Sequence, residues 1–160
     1  MTIDVGDRLP SVDLFVMTDN GPAAIRSDEI FNDRRVALFG LPGAFTRTCS
    51  AKHLPGYVDN ADALKGKGID AIVCLSVNDA YVMEVWGKAQ DVGDKVMMVG
   101  DGSLNFTRAT GLEADMSGKG FGIRCTRFPM VVDDGVVQSL HIDPSGTYEK
   151  TSAETMLSEL

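Results

Sequence analysis

The segment LPGAFTRTCSAKHLPG, Leu41–Gly56, decides how this 160-residue chain folds and where its reactive chemistry lies. It follows the apolar run VALFG at 36–40, whose density predicts a strand covered on both faces. It leads into apolar and aromatic positions at helical spacing, which predict a helix that Pro55 must kink or restart. Cys49 therefore lies where a buried strand gives way to a helix.

Cys49 is the candidate nucleophile of this segment. A thiol in the first turn of a helix meets unpaired backbone N–H groups and the positive end of the helix dipole, and both favour the thiolate. Most free cysteines are small buried hydrophobic residues, but this position favours the reactive interpretation. The Thr46 hydroxyl can donate to the sulfur or to the species it attacks, although it could instead cap a turn. Pro42 and Phe45 wall the site without adding donors.

The pattern Pro42-x-x-x-Thr46-x-x-Cys49 lies within the string PGAFTxxCS, which resembles the active-site motif of the peroxiredoxins, specifically the type II or peroxiredoxin-5-like group. The resemblance extends over nearly the whole chain, and one departure lies inside the motif, where Arg47 replaces a proline that is usual in the group. Three further stretches match the group: HLPG at 53–56, CLSVND at 74–79 and RFPMVVDDG at 127–135.

This resemblance implies a thioredoxin-like fold and a thiol peroxidase that reduces hydrogen peroxide and small alkyl hydroperoxides. The Cys49 thiolate would attack the peroxide and become a sulfenic acid. The resemblance places substrate contacts at Gly43, Ala44 and Phe45 beside Pro42. It implies no cofactor other than an external thiol reductant, and it implies a homodimer.

Such a reaction also calls for a guanidinium, a planar fork of donors that stays charged. From sequence alone, Arg124 and Arg127 are equal candidates. The resemblance points to Arg127, because the group places its active-site arginine directly before the aromatic residue that begins the next strand. Arg124 is then interpreted as a solvated surface charge.

The remaining cysteines determine how a sulfenic acid would be reduced. Some relatives carry a resolving cysteine in the loop before the last helix, but the matching residues 146–152 contain none. Cys74 lies inside an apolar run and is predicted to be structural, which leaves Cys125 as the candidate resolving residue. The favoured prediction is a single-cysteine cycle reduced by glutathione, a glutaredoxin-like protein or thioredoxin.

Other functions remain open at this stage. His53, four residues after Cys49, could form the Cys–His pair of a hydrolase, although a histidine packed beside the site is the simpler interpretation. A binding protein that uses Cys49 only as a redox switch is a further alternative. The isolated cysteines match no zinc-binding spacing, so no metal is predicted.

The net charge of −8 argues against nucleic acid or an anionic membrane as a partner. The sequence shows no signal-like apolar segment near its start and no apolar run long enough to span a membrane. Three cysteines without a secretory signal are typical of free thiols in a reducing compartment. The expected location is the cytoplasm.

Strand-like and helix-like segments alternate along the chain and end in a hairpin around DDG at 133–135. The sequence also predicts an early hairpin at Asn20-Gly21, a glycine-rich loop over 111–122 and a final helix capped by Ser152. These elements predict one α/β domain over 1–160, with a mixed central sheet flanked by helices.

Overall fold

The buried run before the cysteine forms an interior strand of a mixed seven-stranded sheet in the computed structural model, which describes residues 1–143 and 151–160. This strand, β3 (Arg35–Leu41), pairs in parallel with β4 (Ala71–Ser76) and antiparallel with β8 (Phe128–Asp133). Both faces of β3 are covered, as its apolar density predicts.

The other sheet strands lie on either side of this central group, in the order β2-β1-β5-β4-β3-β8-β9. Helices flank both faces, so the predicted α/β class with a mixed central sheet is confirmed. The remaining strands of this sheet are β1 (Asp13–Thr18), β2 (Gly21–Arg26), β5 (Met97–Gly100) and β9 (Val136–Leu140). The helices are α1 (Ser27–Phe31), α2 (Leu54–Asp59), α3 (Ala61–Gly66), α4 (Ala80–Ala89), α5 (Asn105–Thr110) and α6 (Ala153–Glu159).

Two cores form because alternate side chains of each strand point to opposite faces of the sheet. Leu38 packs on the face covered by α1 and α5, together with Phe106. Phe39 packs on the other face with Tyr57 and Trp86, which α2 and α4 contribute. The segment that follows β3 therefore starts from a strand with a buried core on each of its faces.

Both predicted hairpins are present. Strands β8 and β9 are joined by Asp134 and Gly135, whose φ angles of 48° and 78° are those of a two-residue turn with both central residues left-handed. Strands β1 and β2 pair up to Thr18 opposite Gly21, so their turn lies one residue earlier than predicted.

The prediction of a loop over 111–122 is wrong. Residues Glu113–Asp115 form strand β6, which pairs antiparallel with β7 at Ile123–Cys125, and Ser117–Lys119 forms a 3₁₀ turn between them. Each strand has only three residues, too few for a clear alternating apolar pattern in the sequence, and β6 is also largely open to solvent.

The helix after β3 starts with a π-helical turn at Cys49–His53 and continues as α2. The Leu54 N–H donates to the carbonyl of Cys49, five residues back, as in a π turn. Pro55 follows directly and has no N–H to donate, so the wider turn lies where regular α-helical bonding is interrupted. The predicted disturbance at Pro55 is confirmed.

The C-terminal helix packs on the face that carries Tyr57. Its Ser152 cap is confirmed, because the Ser152 side chain accepts from the Thr155 N–H. Of the segment 146–152, in which the sequence lacks a cysteine, residues 146–150 lie outside the described residues. Within the described part of the chain, no helix has the length and apolarity needed to cross a membrane.

Candidate active site

Cys49 begins the π-helical turn that follows β3 and the loop after it, and its side chain is fully buried. The antiparallel register of β3 and β8 places Phe128 opposite Gly40, so the residue before Phe128 lies beside the start of the cysteine segment. That residue is Arg127, whose Nη2 donates to the Cys49 sulfur over 3.3 Å. Gly40 permits this approach, because a methyl group there would overlap the Phe128 ring. The sheet thus brings Cys49 and Arg127 together.

The second terminal nitrogen of Arg127 contacts His53, with Nη1 2.8 Å from His53 Nδ1. The His53 ring is fully buried, and its centroid lies 5.0 Å from that of Phe39. Burial and the Arg127 charge lower the pKa of His53 to about 3, although a backbone hydrogen bond with Thr151 and the charge of Asp143 act in the opposite direction. His53 is therefore a neutral imidazole at neutral pH.

Side chains from the end of β4 hold the loop that precedes Cys49. The Ser76 hydroxyl lies 3.1 Å from the carbonyl oxygen of Leu41 and 2.8 Å from Asn78 Oδ1, either of which can accept its proton. Asn78 Oδ1 also accepts from the Ala44 N–H over 3.0 Å. Because β3 and β4 are parallel neighbours, their C-terminal ends meet at the same edge of the sheet and make these contacts possible.

Arg124 holds the same loop from the side of the small sheet. Its Nη1 donates to the Pro42 carbonyl over 3.1 Å, and its Nε donates to the Phe121 carbonyl over 2.9 Å. A Cβ at Gly43 would lie 2.9 Å from Arg124 Nη1, so the guanidinium is packed closely against the loop. The interpretation of Arg124 as a solvated surface charge is therefore wrong.

Thr46 lies in this loop, and its hydroxyl donates to the Gly43 carbonyl over 2.7 Å. In this arrangement the proton points into the loop rather than at the sulfur, which differs from the expected donation to Cys49. The hydroxyl oxygen keeps lone pairs that can accept from an O–H group. Donation to the sulfur would require the hydroxyl to turn away from Gly43.

Phe45 marks the exposed side of the loop. Its backbone has a φ of 65°, which is uncommon for a bulky residue, and 55% of its surface is exposed. Its ring centroid lies 6.4 Å from that of Trp86. Trp86 is itself anchored next to the cysteine, because its Nε1 donates to the Ser50 hydroxyl over 3.0 Å. Arg47, which replaces a proline usual in similar proteins, is exposed.

The other two cysteines are fully buried, and all three are free thiols. The Cys125 thiol donates to the Leu41 carbonyl over 3.0 Å, and burial, aided by the charge of Asp101, raises the pKa of Cys125 to about 12. Burial also raises the pKa of Cys74 well above its usual value. Neither residue provides a ready thiolate.

Comparison with known proteins identifies the family. A family model described as Redoxin matches residues 4–157. The chain is 45% identical over 164 residues to the chloroplastic peroxiredoxin-2E-2 of Oryza sativa subsp. japonica, and the match covers 99% of this chain and 73% of that relative. The chain belongs to the peroxiredoxins. The type II or peroxiredoxin-5-like resemblance fits this result.

Solved structures confirm the thioredoxin-like fold of this peroxiredoxin. Reduced Prx3 from Vibrio vulnificus in complex with hydrogen peroxide superposes with a TM-score of 0.94 at 44% identity, covering 99% of each chain. The antioxidant protein of Plasmodium falciparum, a 1-Cys peroxiredoxin, gives a TM-score of 0.88 at 30% identity and covers 96% of each chain. The chain is thus a peroxiredoxin thiol peroxidase in fold and in enzyme class.

Sequence reasoning missed several residues that shape this peroxiredoxin site. Ser76 and Asn78 lie in the matching stretch CLSVND, which was a signal for their presence but not for their contacts. The loop contact of Arg124 had no signal beyond its closeness to Arg127 in the sequence.

Among residues 1–143 and 151–160, no group of three or more His, Cys, Asp and Glu side chains is placed to hold a metal ion.

Proposed function

We propose that Cys49 is the peroxide-reactive residue of this peroxiredoxin and that Arg127 and Thr46 act on the peroxide with it. The observation that carries the proposal is the 3.3 Å contact from Arg127 Nη2 to the Cys49 sulfur. A guanidinium next to a sulfur favours the thiolate and stays charged at every physiological pH. Among the described residues, Cys49 is also the one cysteine whose sulfur accepts a hydrogen bond from a charged side chain.

The proposed reaction needs only the thiolate and fixed donors. The Cys49 sulfur attacks one peroxide oxygen, the O–O bond breaks, and the sulfur becomes a sulfenic acid while the peroxide is reduced. The other oxygen leaves as hydroxide or alkoxide and takes up a proton to give water or an alcohol. Negative charge spreads over the sulfur and both oxygens during the attack. The Arg127 guanidinium and the backbone N–H groups around Phe45 and Cys49 would stabilise it.

Pro42, Gly43, Ala44 and Phe45 would form the wall of the substrate site. Their backbone is fixed by the Asn78 and Arg124 contacts, which supports a preformed pocket. The Thr46 oxygen, whose own proton goes to the Gly43 carbonyl, would accept from the peroxide O–H. We propose hydrogen peroxide and small alkyl hydroperoxides as substrates, supported by the similarity to Prx3 from Vibrio vulnificus in its complex with hydrogen peroxide.

We further propose a single-cysteine cycle. Cys74 and Cys125 are fully buried, and their raised pKa values keep both as thiols, which argues against either as a resolving residue. An external thiol would condense with the sulfenic acid to a mixed disulfide and release water, and a second thiol would then free Cys49. Glutathione, a glutaredoxin-like protein and thioredoxin are the candidate donors. The 1-Cys peroxiredoxin of Plasmodium falciparum is consistent with this cycle.

The same geometry weighs against a cysteine hydrolase. His53 Nδ1 accepts from Arg127 rather than from Cys49, and a neutral imidazole whose pKa is about 3 is a poor base at neutral pH.

A redox switch without turnover differs from an enzyme in the amount of peroxide that each chain consumes. Continuous peroxide consumption with a thiol donor would support the enzyme, and one equivalent per chain would support the switch.

A homodimer in the cytoplasm is the proposed state of the protein. Tyr81 and Val85 are 61% and 56% exposed and lie one turn apart on α4. Phe45, also exposed, contacts Trp86 of the same helix. The exposed pair Tyr81 and Val85 on one helix is the kind of apolar surface that protein interfaces use. The net charge of −8 supports the absence of nucleic acid and anionic membranes among the partners.

A steady-state assay of the pure protein tests the proposed function. Hydrogen peroxide and a small alkyl hydroperoxide would each be offered with glutathione, glutathione plus glutaredoxin, or thioredoxin with its reductase. We expect turnover with at least one donor and its loss in Cys49→Ser. Absence of turnover with all donors, or turnover that persists in Cys49→Ser, would contradict the proposal.

A further inference from the structure

We infer that His53 is a positioning residue, which holds the Arg127 guanidinium against the Cys49 sulfur and is itself held by Thr151 at the start of the C-terminal segment. The inference deepens the proposed function and rests on the proposed roles of Cys49 and Arg127. It assigns a part in the active site to residues that the sequence motif does not include.

The first step is that the Arg127 guanidinium contacts both Cys49 and His53. Its Nη2 donates to Cys49 Sγ over 3.3 Å, and its Nη1 lies 2.8 Å from His53 Nδ1. The guanidinium is rigid and planar, so two fixed acceptors set both its position and the direction of its plane. Loss of the acceptor at His53 would remove one of these two constraints while leaving the charge of Arg127 in place.

The second step concerns the protonation of His53. Arginine nitrogens donate and do not accept, so Nδ1 must carry the lone pair and the ring proton must lie on Nε2. Burial and the Arg127 charge keep the ring in this neutral form. A protonated ring would present a second cation to Arg127 and would lose the acceptor.

The third step identifies what fixes His53. A backbone hydrogen bond with Thr151 acts on the ring, and the Thr151 carbonyl also accepts from the Tyr57 hydroxyl over 3.1 Å. The Tyr57 ring lies 5.7 Å from the His53 ring, measured between centroids, so both side chains of this helix meet the same residue. Thr151, at the start of the C-terminal segment, is therefore the group that we propose to orient the imidazole, with Tyr57 packed between them.

The last step closes the network. The Thr151 hydroxyl donates to Asp143 Oδ2 over 2.7 Å, and both residues are buried. The Asp143 N–H donates to the Arg127 carbonyl over 3.0 Å. The backbone of Arg127 is thus linked through Asp143, Thr151 and His53 to its own side chain. Such supporting contacts around an active group commonly change activity by about 10- to 100-fold when they are removed.

Two substitutions of His53 separate positioning from packing. In His53→Asn, Oδ1 takes the place of Nδ1 and can accept from Arg127. In His53→Gln the polar end reaches the place of Nε2, and no acceptor remains at the Nδ1 position. We expect His53→Asn to remain within about threefold of wild type in its rate with hydrogen peroxide. His53→Gln should lose roughly 10- to 100-fold.

The deciding readout is the pH profile of Cys49 alkylation by iodoacetamide, which reports the thiolate directly and needs no peroxidase turnover. His53→Gln should move the midpoint of this profile to higher pH, and His53→Asn should leave it near that of wild type. Equal losses in both variants, or an unchanged profile in His53→Gln, would reduce His53 to a packing residue. A wild type without turnover would end the proposed function but would leave this profile as a test.

Substitutions at Thr151 test whether the contacts of Thr151 with Asp143 and His53 affect the active site, and they serve when the His53 variants fail to fold. Thr151→Ser keeps the hydroxyl that donates to Asp143, and Thr151→Val removes it at nearly constant volume. Thr155→Val is the matched control, because Thr155 lies four residues further along, in α6, and its hydroxyl contacts Ser152. We expect the alkylation profile to move to higher pH in Thr151→Val and not in the other two variants. An unchanged profile in Thr151→Val would overturn the link.

Discussion

The Nη2 nitrogen of Arg127 donates to the sulfur of Cys49 over 3.3 Å, although 78 residues separate the two in the sequence. The pairing of β3 with β8 creates this contact, because the register places Phe128 beside Gly40 at the edge where β3 ends. The sulfur and the guanidinium therefore follow and precede, respectively, two neighbouring strands of the sheet. Their separation depends on backbone pairing rather than on a flexible loop.

Substitution of the cysteines gives the first prediction. Cys49→Ser should abolish peroxidase turnover, because a serine hydroxyl at this position is neither ionised nor oxidisable by peroxide. Cys74→Ser should leave turnover largely intact, since Cys74 is buried in β4 and has a raised pKa. The measurement is steady-state peroxide consumption with a thiol donor. Appreciable turnover in the Cys49 variant would end the assignment of Cys49.

The second prediction concerns the two arginines. Arg127→Lys keeps the charge but loses the planar fork that reaches both Cys49 and His53, so peroxide attack should slow by about tenfold to a thousandfold. Stopped-flow oxidation of the reduced protein by hydrogen peroxide measures this step. Arg124→Lys is the comparison, because Arg124 contacts the Pro42 carbonyl and not the sulfur among the described residues. A larger loss in Arg124→Lys would show that the wrong arginine has been assigned.

Much of the fold could be predicted because its central strands are buried on both faces. The run at 36–40 and the hairpin at Asp134-Gly135 are local signals that the structure confirms. Strands β6 and β7 could not be predicted, since each has three residues and depends on pairing with the other. Strands of three residues are too short to show a periodic pattern of apolar residues.

The candidate site was predictable where chemistry follows from residue type and motif. Cys49, Thr46 and Arg127 were selected in this way, and the structure places two of them in contact. The roles of Asn78 and Arg124 could not be predicted, because each contacts a backbone atom more than thirty positions away in the chain. The direction of the Thr46 proton depends on the nearby Gly43 carbonyl, which the spacing of residues does not reveal.

The third prediction tests the single-cysteine cycle. One equivalent of peroxide should leave Cys49 as a sulfenic acid in wild type, because Cys125 and Cys74 are buried thiols. A dimedone-type reagent should trap this acid, and glutathione should convert it to a mixed disulfide. Intact mass spectrometry of the oxidised protein, without added reductant, measures both products.

Cys125→Ser is the control for this prediction. A serine hydroxyl can still donate to the Leu41 carbonyl, as the Cys125 thiol does, so the variant should fold and keep the steady-state rate. A rapid loss of about two mass units in wild type, mapped to a disulfide between Cys49 and either other cysteine, would contradict the single-cysteine cycle. Thioredoxin would then become the expected reductant.

The fourth prediction concerns stability at low pH. Burial and Arg127 lower the pKa of His53 to about 3, from an ordinary value of 6.5. Between these values the unfolded chain binds a proton that the folded protein does not, so the free energy of unfolding decreases as the pH falls from 6.5 towards 3. At 1.36 kcal/mol for each pKa unit, lowering the pH from 7 to 4.5 should remove about 2–3 kcal/mol through this residue.

Urea unfolding at pH 7 and at pH 4.5 measures this effect, with His53→Asn as the reference because it does not titrate. Carboxyl groups titrate in both proteins, so the quantity of interest is the difference between their two losses of stability. Wild type should lose about 2–3 kcal/mol more than His53→Asn. Equal losses would mean that folded His53 binds a proton by pH 4.5. A protonated ring could not accept from Arg127, so that result would also contradict the neutral imidazole on which the Arg127 contact depends.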